Sequence, residues 1–305
     1  METVPYIWMN GKTMKWEDAK IHVLTHTLHY GAGVFEGIRC YNTPKGPAVF
    51  RLKEHMARLE NSARLIGMKL PYSNSELCRA TKELVKKNRI KECYIRPIAY
   101  YGYGKMGLSP SGAPVDIAIA LWPWGKYLGE ESAEKGVKCG IPSWRRIDHR
   151  TVPTVAKVCG YYINSILASN EVAKSGCDEA ILLNTEGNVA EGPGENVFMV
   201  KNKVLITPPL SAGILPGITR KSIIQVAKDN RIKVAERNIT KKELYGADEV
   251  FFTGTAAEVT PIRMIDGKTI GKGKRGPITE KLQSIFYNVI RGKEKKYLKW
   301  LDLVR

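Results

Sequence analysis

The sequence predicts an α/β chain of the α+β type, with a small N-terminal domain and a larger C-terminal domain. Segments such as "CYIRPIAYY" and "DIAIALWPW" are typical of strands, whereas "KEHMARLENSARLIGM" repeats apolar residues at helical spacing. The polar, glycine-containing segment "PWGKYLGEESAEKG" separates the two halves, and 305 residues suffice for two domains with cores of their own. We therefore expect a small domain over residues 1–122, an interdomain loop over 123–135 and a large domain over 136–305.

The predicted N-terminal domain opens with a hairpin. Asn10 and Gly11 form the pair that type I′ turns prefer, and residues that alternate in polarity flank them. The strand "AVFRL" precedes the first long helix, and Ser73 or Asn74 is placed to cap a second helix through "ELCRATKELVKKN". Two strands then complete the domain.

The predicted C-terminal domain contains a strand "VKCGIPSW", an apolar helix after Lys157 and several short strands separated by turns, one of them "EGPGEN". Beyond these come a helix "GITRKSIIQVAKDN", a strand "KVAERNIT", a single strand "DEVFFTGTAAEVTPI" and a terminal helix from about Pro277. The basic tail after Gly292 has no predicted role.

The composition narrows the possible partners. The formal net charge is +18, but the basic residues are mixed with glutamate along helices, which indicates a solvated surface and no nucleic-acid partner. No run of eighteen apolar residues and no secretory signal pattern is present, so we expect no membrane partner and a cytoplasmic location. The six cysteines are scattered without a C-x-x-C pair, which favours buried free thiols.

Two motifs resemble the binding signatures of other functions, one for a dinucleotide and one for a metal ion. The glycines of "GYGKMG" match a dinucleotide fingerprint, but Pro110 and Pro114 follow and exclude the helix that would hold a pyrophosphate. We interpret this stretch as a glycine-rich loop at an interface. His22, His26 and His29 have the spacing of metal ligands on a helix, yet the threonines and valine around them favour extended chain, so structural hydrogen bonding is the better interpretation.

Lys157 lies between valines and alanine, immediately before an apolar helix. A lysine nucleophile must be partly neutral near neutral pH, and apolar surroundings favour the neutral amine. A lysine at a helix start can equally extend its ammonium group to solvent. Lys157 alone therefore leaves both interpretations open.

Three further features favour a pyridoxal phosphate site. Glu191 and Glu195 flank a rigid Gly-Pro-Gly turn, which could fix a carboxylate against a ring nitrogen or simply expose two acids. Gly217 to Thr219 open a helix, whose free N–H groups suit a phosphate. Arg58 could bind the same phosphate bidentately or form a surface ion pair. The set is far more specific than any member.

The sequence resembles the branched-chain amino acid aminotransferases of the fold-type IV pyridoxal phosphate enzymes. The motifs "LHYGAGVFEGIRCY", "YIRP", "WPWGKYLG", "AKVCGYYINS", "AEGPGENVF", "TPPLSAGILPGITR" and "ADEVFFTGTAAEVTPI" occur in the family's order along nearly the whole chain. The resemblance implies a small N-terminal α/β domain and a larger pseudo-barrel domain. It also implies pyridoxal 5'-phosphate as the cofactor.

The family's cofactor-binding residues correspond to positions in both predicted domains. Lys157 would bond to the cofactor's aldehyde and act as general acid and base, while Tyr162 would hydrogen-bond its phenolic oxygen. Glu191 would keep the pyridine nitrogen protonated. The resemblance assigns the phosphate to Arg58, Ile218, Thr219 and Thr255.

The family's substrate site has to take both an aliphatic side chain and the second carboxylate of glutamate. The apolar walls would be Tyr30, Phe35, Trp124 and Tyr127. The α-carboxylate would be taken by Tyr94, Thr255 and Ala256, and Gly37 of "FEGIR" belongs to the same substrate-binding set. Arg96 would pair with the second carboxylate, because a buried charge needs a partner.

The implied reaction is reversible transfer of the amino group of leucine, isoleucine or valine to 2-oxoglutarate by a ping-pong mechanism. The partners would be small amino and 2-oxo acids and other copies of the chain, as a dimer or hexamer. Leu108 would enter the neighbouring subunit's site. D-amino acid aminotransferases and aminodeoxychorismate lyases share the fold, but the "YIRP" motif argues against both. The tyrosines of "IAYYGYG" leave open whether aromatic substrates are also accepted.

Overall fold

The computed structural model describes residues 2–125 and 131–304, which form two compact units. The first unit comprises Met1–Trp124, Ala156–Tyr161 and Val289–Arg305, and the second comprises Gly125–Val155 and Tyr162–Asn288. This grouping differs from the predicted division at residues 122 and 136, because two later segments pack with the N-terminal residues. The chain therefore passes between the units several times.

Both halves of the chain contain helices and strands. As far as Trp122 they are β1 (Tyr6–Met9), β2 (Lys12–Lys15), α1 (His26–Tyr30), β3 (Gly33–Phe35), β4 (Ile38–Thr43), β5 (Gly46–Phe50), α2 (Leu52–Leu65), α3 (Asn74–Lys87), β6 (Cys93–Tyr101) and β7 (Val115–Trp122). The later ones are α4 (Ser132–Lys135), β8 (Val137–Gly140), α5 (Tyr162–Ala173), β9 (Glu179–Ala180), β10 (Asn196–Lys201), β11 (Val204–Thr207), α6 (Ile218–Asp229), β12 (Val234–Glu236), α7 (Lys241–Tyr245), β13 (Glu249–Gly254), β14 (Glu258–Ile265), β15 (Lys268–Thr269), α8 (Pro277–Ile290) and β16 (Leu301–Leu303).

The first unit is built on an antiparallel sheet. Its strand order is β16-β5-β4-β6-β7-β1-β2, with β3 paired to β6. Apolar residues of α2, α3 and the sheet form one buried cluster, which includes Met56, Leu59, Leu84 and Ile95. The basic tail contributes to this unit, since β16 pairs with β5 and the Trp300 ring lies 4.8 Å from the Arg51 guanidinium.

The second unit is built on a mixed sheet with the strand order β12-β11-β10-β13-β14-β8-β9, and β15 pairs with β14. The pairs of β11 with β12, of β14 with β8 and of β8 with β9 are parallel. Phe252, Val197 and Ile262 belong to its buried core. A mixed sheet of this kind commonly carries helices on its faces.

Several local predictions are confirmed. Asn10 and Gly11 have positive φ angles of 47° and 84°, as a type I′ turn requires. Ser73 caps α3 in a capping box with Glu76. All six cysteines are free, as expected, but only four of them are buried, since Cys159 and Cys177 are half-buried.

No helix among residues 2–125 and 131–304 is long and apolar enough to cross a membrane.

Two local predictions are wrong. The segment "DEVFFTGTAAEVTPI" is an antiparallel hairpin of β13 and β14, because Gly254 pairs with Glu258 around a three-residue turn. Glu258 has a positive φ of 54°, which interrupts the extended backbone. His26 to Tyr30 form a short helix where extended chain was expected, and Gly31 ends it in the left-handed conformation.

Candidate active site

The segment that carries Lys157 is fixed through its backbone. The Lys157 N–H donates to Ser62 Oγ at 3.0 Å, and the Phe35 N–H donates to the Lys157 carbonyl at 3.1 Å. Lys157 itself is half-buried between the buried side chains of Ala156 and Val158, and its Nζ lies 4.6 Å from the centroid of the Phe35 ring. The Lys157 amine therefore lies against one aromatic face.

A close backbone approach brings this segment against the end of α1. The Gly160 N–H donates to the Gly31 carbonyl at 3.1 Å, and a Cβ on Gly31 would lie 2.9 Å from the Gly160 Cα. Gly31 also has a φ of 69°, which side chains disfavour. Glycine is thus required at Gly31 for both conformation and space.

Arg58 forms a buried ion pair with Glu36. Its Nε and Nη2 donate to the two Glu36 carboxylate oxygens at 2.7 and 2.9 Å, which is a bidentate arrangement. His55 Nδ1 lies 2.6 Å from the same carboxylate, and Glu36 is fully buried. Because Arg58 and His55 lie on one face of α2, both reach this single acid.

The electrostatics of this cluster favour an ionised acid beside a neutral imidazole. Burial alone would raise the pKa of Glu36, but the Arg58 guanidinium and His55 outweigh it and hold that pKa well below its ordinary value of 4.5. Burial also lowers the pKa of His55 below 6.5, although Glu36 opposes the shift. Both folded groups therefore resist protonation.

Acidification is expected to destabilise the protein through these two groups. A group whose pKa is lower in the folded state binds more protons when unfolded, so the stability it contributes falls as the pH falls. The loss should begin as the pH falls through 6.5, where unfolded His55 takes up a proton, and continue below 4.5, where unfolded Glu36 does. Denaturant unfolding across this range measures it, and His55→Gln should remove the first phase. A first phase that survives in His55→Gln would contradict the assignment.

Several predicted substrate residues of the first unit lie together. Tyr94 and Arg96 point to the same side of β6, since neighbouring residues alternate and Ile95 belongs to the core. A Cβ on Gly37 would overlap the Tyr94 hydroxyl, so a bare backbone is needed there. The Trp124 ring meets the Tyr94 ring edge-on at 4.4 Å.

Arg96 is surrounded by aromatic rings. Its guanidinium carbon lies 4.7 Å from the Phe35 centroid, 5.3 Å from that of Tyr94 and 5.9 Å from that of Trp122. Its Nη2 donates to the Tyr94 hydroxyl at 3.3 Å. A cation held among aromatic faces can pair with a carboxylate while the rings offer apolar contact.

Two further predicted substrate residues of the first unit are exposed. Tyr30 is 42% exposed at the end of α1, where its ring contacts those of His26 and His29. Leu108 is 88% exposed in the loop after β6. Tyr127 lies outside the described residues. The histidines serve as hydrogen-bonding residues, since His26 and His29 bond to carbonyl oxygens, and the described residues contain no cluster suited to a metal ion.

In the second unit Glu191 is a buried carboxylate with strong donors. Arg146 Nε donates to Oε1 at 2.8 Å, while Asn196 Nδ2 and the Leu215 N–H each donate to Oε2 at 3.0 Å. Glu191 is 5% exposed and forms an ion pair with the Arg146 guanidinium. Such a carboxylate is suited to pairing with a protonated ring nitrogen.

The start of α6 adjoins the same group. Gly217 caps the helix without a side-chain hydrogen bond, and a Cβ there would overlap the Asn196 side chain. The N–H groups of Ile218 and Thr219 belong to the first turn, which has no acceptors of its own. The helix has 12 residues, so its N-terminus offers an anion site beside Glu191.

The remaining predicted residues of the second unit are near this group in the fold. Thr255 and Ala256 form the turn between β13 and β14, and β13 pairs with β10, which starts at Asn196. Tyr162 is half-buried at the start of α5. One turn further on, Ser165 Oγ donates to the Pro193 carbonyl at 2.9 Å, which ties α5 to the Gly-Pro-Gly turn.

Residues 33–265 match the model of the family described as Amino-transferase class IV. The chain belongs to this family. The class IV aminotransferase is 49% identical over 299 residues, 98% of its length, to the branched-chain-amino-acid aminotransferase of Pseudomonas aeruginosa, of which it covers 97%. The crystal structure of the Escherichia coli branched-chain amino acid aminotransferase superposes with a TM-score of 0.97 at 46% identity, covering 99% of this chain and all of that one.

A third comparison concerns a structure with a bound ligand. The T.th. branched-chain amino acid aminotransferase complexed with N-(5'-phosphopyridoxyl)-L-glutamate is 44% identical to this aminotransferase, with a TM-score of 0.95 over the whole of both chains. These likenesses confirm the predicted α/β fold of the fold-type IV enzymes.

The structure adds residues that the sequence did not reveal. The sequence offered one sign of the role of Glu36, because this acid lies inside the apolar run "GVFEGI". A carboxylate that is buried in such a run needs a charged or hydrogen-bonding partner. Arg146 and Asn196, which bind Glu191, had no such sign. Arg146 is 45 residues away in sequence, and nothing in the sequence places the Asn196 side chain against the Glu191 carboxylate. Ser62 is a fully buried serine on an amphipathic helix, and its link to Lys157 spans 95 residues.

Proposed function

We propose that this class IV aminotransferase is a branched-chain L-amino acid transaminase. It transfers the amino group of leucine, isoleucine or valine reversibly to 2-oxoglutarate, which gives the 2-oxo acid and L-glutamate. The observation that carries the proposal is Arg96 enclosed by Phe35, Tyr94 and Trp122. This arrangement combines apolar walls for an aliphatic side chain with one cation for the second carboxylate of glutamate.

The residues present fit pyridoxal 5'-phosphate. The first unit supplies a half-buried amine and a guanidinium, which suit an aldehyde and a phosphate. The second unit supplies a buried carboxylate and a helix N-terminus without a side-chain cap, which suit a ring nitrogen and a phosphate. When bound, the cofactor supplies the aldehyde and a ring that accepts electrons from the substrate's Cα. The compound bound to the T.th. relative joins a phosphopyridoxyl group to glutamate, which supports the same pairing of cofactor and substrate.

Each residue then has one task. The Lys157 amine would hold the cofactor through its aldehyde, and would take the proton from the substrate's Cα and return it. Glu191 would keep the ring nitrogen protonated, and Tyr162 would donate to the phenolic oxygen. Arg58, Ile218, Thr219 and Thr255 would bind the phosphate.

The substrate is held by its carboxylates. Tyr94 and the turn of Thr255 and Ala256 bind the α-carboxylate, and Gly37 leaves the Tyr94 hydroxyl the space it needs. The aliphatic chain lies against the rings of Tyr30, Phe35, Trp124 and Tyr127. Arg96 binds the second carboxylate of glutamate, which a wholly apolar site would reject.

We also propose a homo-oligomer, a dimer or hexamer, in which Leu108 reaches the neighbouring subunit's site. Large apolar side chains of the first unit support it, because α1, the segment before it and the Leu108 loop expose a group of them. These are Ile21, Val23, Leu24, Leu28, Tyr103 and Leu108. The free cysteines support a reducing, cytoplasmic location.

The purified protein should be assayed with L-leucine, D-alanine and aminodeoxychorismate. We expect activity with L-leucine and 2-oxoglutarate, and a visible absorbance that borohydride reduction bleaches. Peptide mapping after reduction should place the cofactor on Lys157. Activity on D-alanine or aminodeoxychorismate alone would refute the proposed substrates while leaving the fold and cofactor in place.

A further inference from the structure

The loop between β6 and β7 is attached to α1 by a buried histidine. His26 Nε2 lies 2.8 Å from the Gly107 carbonyl oxygen, and His26 is 1% exposed. The His26 N–H donates to the Gly102 carbonyl at 3.1 Å, and Thr25 forms a β-bridge with Tyr103. One side chain thus fixes the middle of the loop, while backbone bonds fix its start.

The hydrogen bond defines the state of the His26 ring. A carbonyl oxygen only accepts, so Nε2 must carry the hydrogen. Nδ1 is buried and has no hydrogen-bond partner among the described residues. The ring is therefore held by one hydrogen bond and by packing, with its centroid 4.6 Å from that of Tyr30 and 5.8 Å from that of Tyr101.

The loop needs such an attachment. It contains Gly102, Gly104, Gly107 and Gly112, and Gly107 has a φ of 134°, so the unattached backbone would sample many conformations. Leu108 follows Gly107 directly and is 88% exposed, so its own side chain has little packing to hold it. The hydrogen bond from His26 to Gly107 therefore lies one residue from Leu108, the side chain that it would position.

We propose that His26 is a positioning residue for substrate binding, which holds Tyr30 and the Leu108 loop in one arrangement. This inference rests on the proposed function, in which Tyr30 lines the substrate site of its own chain and Leu108 that of the neighbouring subunit. The imidazole ring contacts the Tyr30 ring, and its Nε2 bonds to Gly107 in the loop that carries Leu108. His26 therefore connects Tyr30, which lines the site of its own chain, to the Leu108 loop, which completes the site of the neighbouring subunit.

Loop attachment can be measured without activity. His26→Phe keeps a ring against Tyr30 and Tyr101 but loses the donor, so trypsin should cut the holoenzyme after the exposed Lys105 about tenfold faster. His26→Gln keeps an N–H donor and should restore most of the protection. His29→Phe is the matched control, since His29 Nε2 bonds to the Val23 carbonyl within its own segment and should leave cleavage at Lys105 unchanged.

Kinetics test the link to substrate. His26→Phe should raise KM for L-leucine about tenfold, with much less change in kcat and none in the cofactor's visible spectrum. Leu108→Ala should act alike, and the double variant should be no worse than Leu108→Ala, because both changes remove one interaction. Additive effects, or cleavage of His26→Phe at the wild-type rate, would overturn the inference. A wild-type enzyme without transaminase activity would instead refute the proposed function, and the cleavage rates would still report on His26.

Discussion

Replacing Lys157 by alanine is expected to lower turnover with L-leucine by about 10⁴-fold or more, because one group supplies both the covalent bond to the cofactor and the proton transfer. The variant should bind pyridoxal phosphate without a covalent link, so borohydride should no longer fix the cofactor to the protein. Single-turnover absorbance changes with L-leucine measure the rate. Folding should be intact, since the Lys157 backbone makes the hydrogen bonds to Ser62 and Phe35 and the substitution keeps that backbone.

Lys157→Arg is the matched control for charge. It keeps a cation beside the Phe35 ring, which lies 4.6 Å from Nζ, but it cannot form the covalent link. We expect it to be as inactive as the alanine variant. If either variant retained wild-type turnover, Lys157 would not be the catalytic lysine.

Glu36→Gln is expected to lower the free energy of unfolding by about 3 kcal/mol or more, because it leaves the Arg58 guanidinium buried without its counter-ion. Glu36 is fully buried, and the Arg58 side chain is 11% exposed, so water does little to replace the lost charge. Urea unfolding of the apoenzyme near neutral pH measures the change. The cofactor is left out of this measurement because its phosphate would stabilise the variant by pairing with Arg58.

Glu54→Gln provides the comparison on the same helix. Glu54 pairs with Arg51 at 2.8 Å but its side chain is 42% exposed, so its loss should cost no more than about 1 kcal/mol. Adding Arg58→Met to Glu36→Gln should recover part of the stability, since the unpaired charge is then removed. Equal effects of the two glutamine variants would show that burial does not strengthen the Glu36 pair.

The sequence predicted those parts of the molecule that depend on local pattern. The Asn10-Gly11 turn, the Ser73 cap and the strand "CYIRPIAYY" follow from side chains and neighbours a few residues apart, and all three are confirmed. The hairpin at Gly254 was missed because β-branched and aromatic residues on both sides of the turn hide it. A short turn in such a run leaves almost no trace in hydrophobic periodicity.

The site combines residues that the sequence reveals singly with contacts that it does not reveal. Lys157 and Glu191 are recognisable from their surroundings. The ion pairs of Glu36 with Arg58 and of Glu191 with Arg146 are not, because they join residues 22 and 45 positions apart. Only the folded chain brings them together. The roles of the individual site residues remain predictions until the variants are measured.

Each unit is made of segments that are separate in the sequence, and this limits where the protein can be divided. A gene fragment that ends at Trp124 would lack Ala156–Tyr161, which carries Lys157, and Val289–Arg305, which supplies β16 for β5. Such a fragment would expose an open sheet edge and the site of the missing Trp300, which invites aggregation. Recombination with a relative at a single crossover therefore cannot exchange one whole unit of this enzyme, because the segments of the two units alternate along the sequence.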